Sequence, residues 1–189
     1  MIKIQDIEFD NGEVIISVGF FLAPDFSLLK LSNPKYVENY EPLYSAFVHH
    51  VKATKNIPAV QNIQKAVSNE NGECFLLERG TKSSISLEDG KKVATVSMES
   101  VINNAYKKFG RIDKLLMNCE GSEIPIIDEN PLKLFLRCDK IFIQFHNFLP
   151  SLGVTNEDMY RCLAKLGRCF DYRLLSSYKY SKYLFMRYL

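Results

Sequence analysis

The chain lacks the features that mark several large classes of protein. No apolar run approaches the roughly 18 residues that a transmembrane helix needs, and the first twenty residues lack the charged start and apolar stretch of a signal peptide. Basic and acidic residues nearly balance, 24 against 22, and the basic ones are scattered, so no stripe suited to a phosphate backbone is present. These absences predict a cytoplasmic protein that acts on neither membranes nor nucleic acids.

Cysteine is present, but in no pattern that suggests chemistry. The five cysteines are odd in number and widely spaced, and no two form the CxxC pair typical of zinc or redox sites. Most lie in apolar surroundings, which predicts reduced, buried thiols and no metal site. The five positions are Cys74, Cys119, Cys138, Cys162 and Cys169.

The length and the apolar content indicate one domain over residues 1–189. The chain is 47% hydrophobic, which suffices for a core of ordinary size. Strand-like runs such as EVIISVGFF alternate with helix-like spacing such as LYSAFVHHVKATK, in which Leu43, Phe47 and Val51 share one face. Strands and helices that alternate at short spacings predict an α/β fold with a mostly parallel central sheet and helices on both faces.

Three further segments complete the predicted order of elements. AVQNIQKAVSN is expected to form the third strand of the sheet. The polar, turn-rich stretch TKSSISLEDGKK is expected to be a surface loop. The aromatic tail around SSYKYS predicts a closing antiparallel hairpin at the C-terminus.

Polar residues follow the predicted strands where each one ends. Gly19 follows the first strand, Glu41 the second, Asn118 a later strand and His146 the strand after that. In an open α/β sheet, ligands bind beyond the carboxyl ends of the strands. A carboxylate at the position of Glu41 is suited to accept hydrogen bonds from ribose hydroxyls.

The order of these pieces resembles the FkbM family of S-adenosylmethionine-dependent methyltransferases. IDKLLMNCEGSEIPII is similar to the family's apolar strand followed by Lys, x, Asp, x, Glu, Gly, x, Glu, and NYEP is similar to its second-strand Glu-Pro. QKAVSNENGE, KIFIQFH and SKYLFMRY follow in the family's order, so the resemblance runs from about Val14 to Tyr188.

The resemblance implies a fold, a cofactor and a reaction. The fold is the Rossmann-like methyltransferase fold, and the cofactor is S-adenosylmethionine, held by Gly19, Glu41 and Asn118. The implied reaction transfers the methyl group to a hydroxyl of a small or carbohydrate-like molecule by in-line displacement. His146 and Glu120 are the implied catalytic residues, and no metal ligand or oligomeric state is assigned.

The first loop departs from the family pattern of Asp, x, Gly, Ala, Asn, x, Gly. It reads SVGFFLAP here, so Gly19 is retained while Phe20 and Phe21 replace the small residue and the asparagine. Two phenylalanines are large enough to fill space that the cofactor would take. A second hypothesis is therefore a degenerate, non-catalytic homologue that serves as a binding or interaction module. A third is a rebuilt loop that still binds the cofactor through Glu41 and backbone amides.

Three family charges are also replaced. Leu116, Asn118 and Gln144 stand where the family has Lys, Asp and Glu. The amides of Asn118 and Gln144 keep the approximate shape of the carboxylates but not their charge. These losses favour the second hypothesis.

The carboxylates after the strand that ends at Asn118 allow two interpretations. The resemblance puts Glu120 and Glu123 at the mouth of the site, where they orient a substrate hydroxyl or a metal. Alternatively they cap the next short helix, with Gly121 serving its turn. We favour the capping role for Glu123, and both roles stay open for Glu120. His146 is a candidate general base or a satisfied strand-end histidine.

Overall fold

The computed structural model describes residues 7–19, 25–79, 82–86, 90–146, 155–176 and 182–187, and the structural statements below concern that part of the chain. Its helices are α1 (Asp25–Ser32), α2 (Tyr44–Thr54), α3 (Met98–Phe109), α4 (Glu123–Glu129), α5 (Leu132–Phe135) and α6 (Asn156–Leu166). Its strands are β1 (Val14–Val18), β2 (Tyr36–Tyr40), β3 (Val60–Ile63), β4 (Ala66–Ser68), β5 (Gly72–Arg79), β6 (Lys82–Ser86), β7 (Lys91–Ser97), β8 (Ile112–Met117), β9 (Cys138–Gln144), β10 (Phe170–Ser176) and β11 (Lys182–Arg187).

Seven strands form the larger sheet, in the order β10-β11-β9-β8-β1-β2-β3. The five strands β9, β8, β1, β2 and β3 run parallel to one another. β11 is antiparallel to β9, and β10 is antiparallel to β11. The mostly parallel sheet and the closing antiparallel hairpin predicted from the sequence are both confirmed. β1 lies inside the sheet and is buried along its whole length, which explains why its sequence VIISV is apolar except for Ser17.

The sheet separates two apolar clusters, because successive strand residues point to opposite faces. Ile16 of β1 packs in the cluster that includes Ile102 of α3 and Leu163 of α6. Ile15 packs in the other cluster, with Phe26 and several neighbours from α1 and β2. Helices therefore cover both faces, as the alternating pattern predicted.

A second sheet of four strands, in the order β4-β7-β5-β6, was not predicted. The segment AVQNIQKAVSN does not form one strand: it divides into β3 in the large sheet and β4 in the small one. The segment TKSSISLEDGKK is not only a loop, since it contains β6 and the start of β7. β6 lies at the edge of its sheet and pairs with β5 alone. Such a strand needs little apolar patterning, because backbone hydrogen bonds hold it.

Helix α2 buries a face that differs from the predicted one. Val51 is 43% exposed, whereas His50 and Thr54 are buried. Asn39 of β2 explains the difference, because its Nδ2 lies 3.0 Å from His50 Nδ1. A buried polar partner on the sheet draws the polar side of the helix inward.

None of the five cysteines forms a disulfide. Within the described ranges, no helix is both long enough and apolar enough to cross a membrane.

Candidate active site

The strands β2, β1, β8 and β9 lie side by side and run parallel, so their carboxyl ends meet at one edge of the sheet. Glu41, Gly19, Asn118 and His146 follow these four strands in that spatial order. The structure thus brings together the polar residues that the sequence placed at strand ends.

Gly19 lies where two loops touch. Its φ is +61°, in the left-handed region that favours glycine, and its N–H donates to the Tyr40 carbonyl at 2.9 Å. The Asn118 N–H donates to the Val18 carbonyl at 2.9 Å, which brings the second loop alongside. A Cβ added at Gly19 would lie 2.5 Å from the Asn118 carbonyl oxygen. No larger residue fits there without moving one of the loops.

Glu41 is a partly buried carboxyl between β2 and α2. The Leu43 N–H donates to its Oε1 at 2.8 Å. Burial raises the pKa of the Glu41 carboxyl from its ordinary 4.5 to about 7, and the Leu43 hydrogen bond opposes that shift only in part. A ligand that donates hydrogen bonds to this carboxyl would stabilise its ionised form.

Asn118 has a buried side-chain oxygen, Oδ1, that accepts no hydrogen bond within the described part of the chain. A buried acceptor without a donor costs free energy, on the order of 1–3 kcal/mol. A ligand with an N–H or O–H group at this edge would remove that cost. With the carboxyl of Glu41 and the tight backbone at Gly19, this arrangement fits an adenosine-containing cofactor.

Glu123 and His146 form a buried pair. His146 Nδ1 lies 2.9 Å from Glu123 Oε1, and the side chains are 1% and 0% exposed. Glu123 also accepts the N–H of Cys119 at 2.5 Å and that of Gly121 at 2.9 Å. Both N–H groups precede α4, whose N-cap residue Ser122 makes no side-chain cap hydrogen bond. Glu123 therefore holds the preceding loop, and it orients the imidazole as well. The sequence interpretation missed this second role.

The other imidazole nitrogen faces two further polar groups. His146 Nε2 lies 3.3 Å from Gln144 Nε2 and 3.6 Å from Glu120 Oε2. An ionised Glu123 can only accept, so the proton of a neutral His146 sits on Nδ1, and the lone pair on Nε2 accepts from the Gln144 amide. Glu120 has a φ of +49°, uncommon for a non-glycine residue, and its side chain is 25% exposed. Glu120 is more exposed than His146 itself and than its other two neighbours, Glu123 and Gln144.

Two other features bear on the chemistry. Burial and the charge of Glu123 hold the pKa of the Cys119 thiol well above its ordinary value, so this thiol stays protonated.

Within the described ranges, no group of three or more His, Cys, Asp or Glu side chains is arranged to hold a metal ion. Phe20 and Phe21, predicted to compete with the cofactor for space, lie outside the described residues.

Comparison with known proteins gives a family match and several structural likenesses. Residues 7–173 match the family model described as the methyltransferase FkbM domain. Curated protein sequences give no match.

Three solved structures share the fold at low identity. Methyltransferase FkbM from Methylobacillus flagellatus is 11% identical, with a TM-score of 0.59, over 95% of this chain and 44% of its own. This chain thus spans less than half the length of that protein. A candidate methyltransferase from Streptococcus mutans in complex with SAH is 12% identical, with a TM-score of 0.56, over 97% of this chain and 93% of its own. An rRNA methylase from Streptococcus thermophilus is 10% identical, with a TM-score of 0.54, over 96% of this chain and 90% of its own. These likenesses confirm the predicted Rossmann-like fold.

Proposed function

This chain belongs to the FkbM methyltransferase domain family, and from that premise we propose that it transfers a methyl group from S-adenosylmethionine to a hydroxyl oxygen of a small or carbohydrate-like molecule. The observation that carries the proposal is the meeting of Gly19, Glu41 and Asn118 at one sheet edge, beside the buried pair of Glu123 and His146.

Three residues would hold the cofactor. The Glu41 carboxylate would accept hydrogen bonds from the ribose hydroxyls, and Asn118 Oδ1 would accept one from an N–H or O–H group. Gly19 keeps side-chain atoms away from the turn between them. When bound, S-adenosylmethionine supplies an electrophilic methyl group on its sulfonium sulfur.

His146 and its neighbours would manage the proton of the acceptor hydroxyl. The lone pair on Nε2 takes up the proton that the hydroxyl loses as its oxygen is methylated. Glu123 stabilises the resulting imidazolium through Nδ1, and Glu120 adds a second negative charge 3.6 Å from Nε2. Because Glu120 is partly exposed and His146 is buried, the hydroxyl approaches from the side of Glu120.

The acceptor class has one competitor. The structural likenesses include an rRNA methylase, which makes a nucleic acid the alternative acceptor. The near balance of 24 basic and 22 acidic residues supports the small acceptor, because nucleic-acid binding draws most of its affinity from clustered positive charge. Labelled S-adenosylmethionine offered with a panel of small hydroxylated compounds, and separately with RNA, distinguishes the two classes by which fraction takes up label.

Calorimetric titration of the purified protein with S-adenosylmethionine and S-adenosylhomocysteine tests the cofactor site. We expect micromolar binding that is roughly tenfold or more weaker in Glu41→Gln. Glu38→Gln is the matched control, because Glu38 lies on the same strand but bonds to the Tyr36 and Tyr40 hydroxyls. Absence of binding at millimolar ligand by a folded protein would overturn the enzyme proposal and support the non-catalytic binding module instead.

A further inference from the structure

Strand β10 ends the larger sheet in the described part of the chain, and it is long. It has seven residues, against four in β3, three in β4 and five in β6, the other strands that end a sheet in the described part of the chain. Its outer side presents a row of backbone N–H and C=O groups that a further strand can use. Its pairing with β11 is regular from Phe170 to Leu174 and shifts after that. The regular segment is therefore centred on Tyr172.

The side chains of this segment divide between the two faces of the sheet. Phe170 is buried, while Tyr172 and Leu174, which point to the same face, are 52% and 50% exposed. Asp171 and Arg173 are exposed and point to the opposite face. The edge thus carries one apolar row and one row with a single charge of each sign.

The charges on β10 are complementary to those on a second copy of β10 in one antiparallel register. If two copies of β10 pair about Tyr172, Asp171 of each copy lies opposite Arg173 of the other, and Phe170 lies opposite Leu174. Centring the pair on Asp171 would instead put two aspartates opposite each other, and centring it on Arg173 would oppose two arginines. Opposite charges at directly paired positions stabilise a sheet, and like charges destabilise it.

We propose that β10 pairs with β10 of a second copy of this chain about Tyr172, which joins the two seven-stranded sheets in a two-fold symmetric dimer. The two-fold axis makes both charge pairs identical, as an isologous interface requires. Leu174, half exposed in one chain, gains Phe170 of the other as its neighbour across the strands. Because five paired residues fall short of the roughly 800 Å² per partner of a standard interface, the dimer is reversible and depends on concentration.

Sedimentation velocity over a concentration series, supported by far-ultraviolet circular dichroism to establish folding, tests the proposal. We expect the unmodified chain to pass from monomer to dimer as its concentration rises. Asp171→Arg and Arg173→Asp should each weaken the dimer about tenfold or more, because each places like charges opposite each other in both pairs.

The two single variants provide the deciding measurement when they are mixed. One strand then carries two positive charges and the other two negative charges, so the mixture should form a heterodimer although neither variant dimerises well alone. The double variant that exchanges both residues should recover the homodimer. A chain that stays monomeric at millimolar concentration, or a dimer that is unaffected by the single reversals, would overturn the proposal.

Discussion

His146 Nδ1 lies 2.9 Å from Glu123 Oε1, and this contact joins the first residue of α4 to the segment just after β9. Glu123 is also the acceptor for the backbone of Cys119 and Gly121. One carboxylate therefore determines both the path of a loop and the orientation of an imidazole.

Glu123→Gln should lower the stability and the activity together. The carboxamide keeps the shape, but its nitrogen would face one of the backbone N–H groups and leave that group without an acceptor. We expect the free energy of unfolding to fall by about 2 kcal/mol or more in urea denaturation. Glu120→Gln is the matched control, because this partly exposed carboxylate accepts no backbone hydrogen bond within the described residues. An equal loss of unfolding free energy in the two variants would contradict the role assigned to Glu123.

The stability of the protein should carry a pH dependence that comes from Glu41. Its folded pKa of about 7 exceeds its ordinary 4.5, so the folded state binds the proton more tightly than the unfolded state does. The stabilising contribution is complete below about pH 4.5 and is lost as the pH rises through about 7. Urea denaturation at pH 5 and pH 8 should therefore show Glu41→Gln gaining stability relative to the unmodified protein at the higher pH. A difference between the two proteins that does not change with pH would exclude this coupling.

The same carboxyl should make cofactor binding depend on pH in the opposite sense. Ribose hydroxyls donate to the ionised form, and with a pKa of about 7 the ionised fraction rises roughly tenfold between pH 6 and pH 8. Calorimetry should show S-adenosylhomocysteine binding strengthen by up to that factor. In Glu41→Gln, the weaker binding that remains should not depend on pH. The same pH dependence in both proteins would assign it to another group.

Gly19→Ala should be much more damaging than an alanine at another glycine with positive φ. Its Cβ would add a contact of 2.5 Å with the Asn118 carbonyl oxygen to the strain of a left-handed backbone. Gly110 provides the control, because its φ is +75° and an added Cβ meets nothing within 4 Å. We expect a loss of about 1 kcal/mol for Gly110→Ala and clearly more for Gly19→Ala in thermal or urea denaturation. Similar losses at the two positions would mean that the loops separate easily.

The sequence was sufficient to predict the main sheet and the sheet edge at which the candidate site residues lie. Buried strands such as β1 have a distinctive apolar pattern, and parallel neighbours must end at the same edge. The residues that follow those strands are therefore expected at one edge from the sequence alone. Glu41, Gly19, Asn118 and His146 meet there as expected, while their roles remain predictions.

The second sheet and the Glu123–His146 contact could not be predicted in the same way. A strand pattern reports extended backbone but not its partner, so nothing in AVQNIQKAVSN shows that its two halves join different sheets. Glu123 fits a local capping role on its own, and its contact with His146 spans 23 residues of sequence. Only the packing of β8 beside β9 brings the two side chains together.

The buried face of α2 is polar, and this affects how the helix is oriented on the sheet. An apolar face can rotate on a sheet by a few degrees with little loss, because dispersion contacts have no strict direction. Hydrogen bonds do have direction, and the 3.0 Å contact of Asn39 with His50 and the 2.7 Å bond from Asn62 to Thr54 are satisfied together by one rotation of the helix about its axis. That rotation also sets the direction in which the first turn of α2 presents the Leu43 N–H to Glu41. The side-chain amides of Asn39 on β2 and Asn62 on β3 thus help to set the position of the Glu41 carboxyl, to which neither of them is bonded.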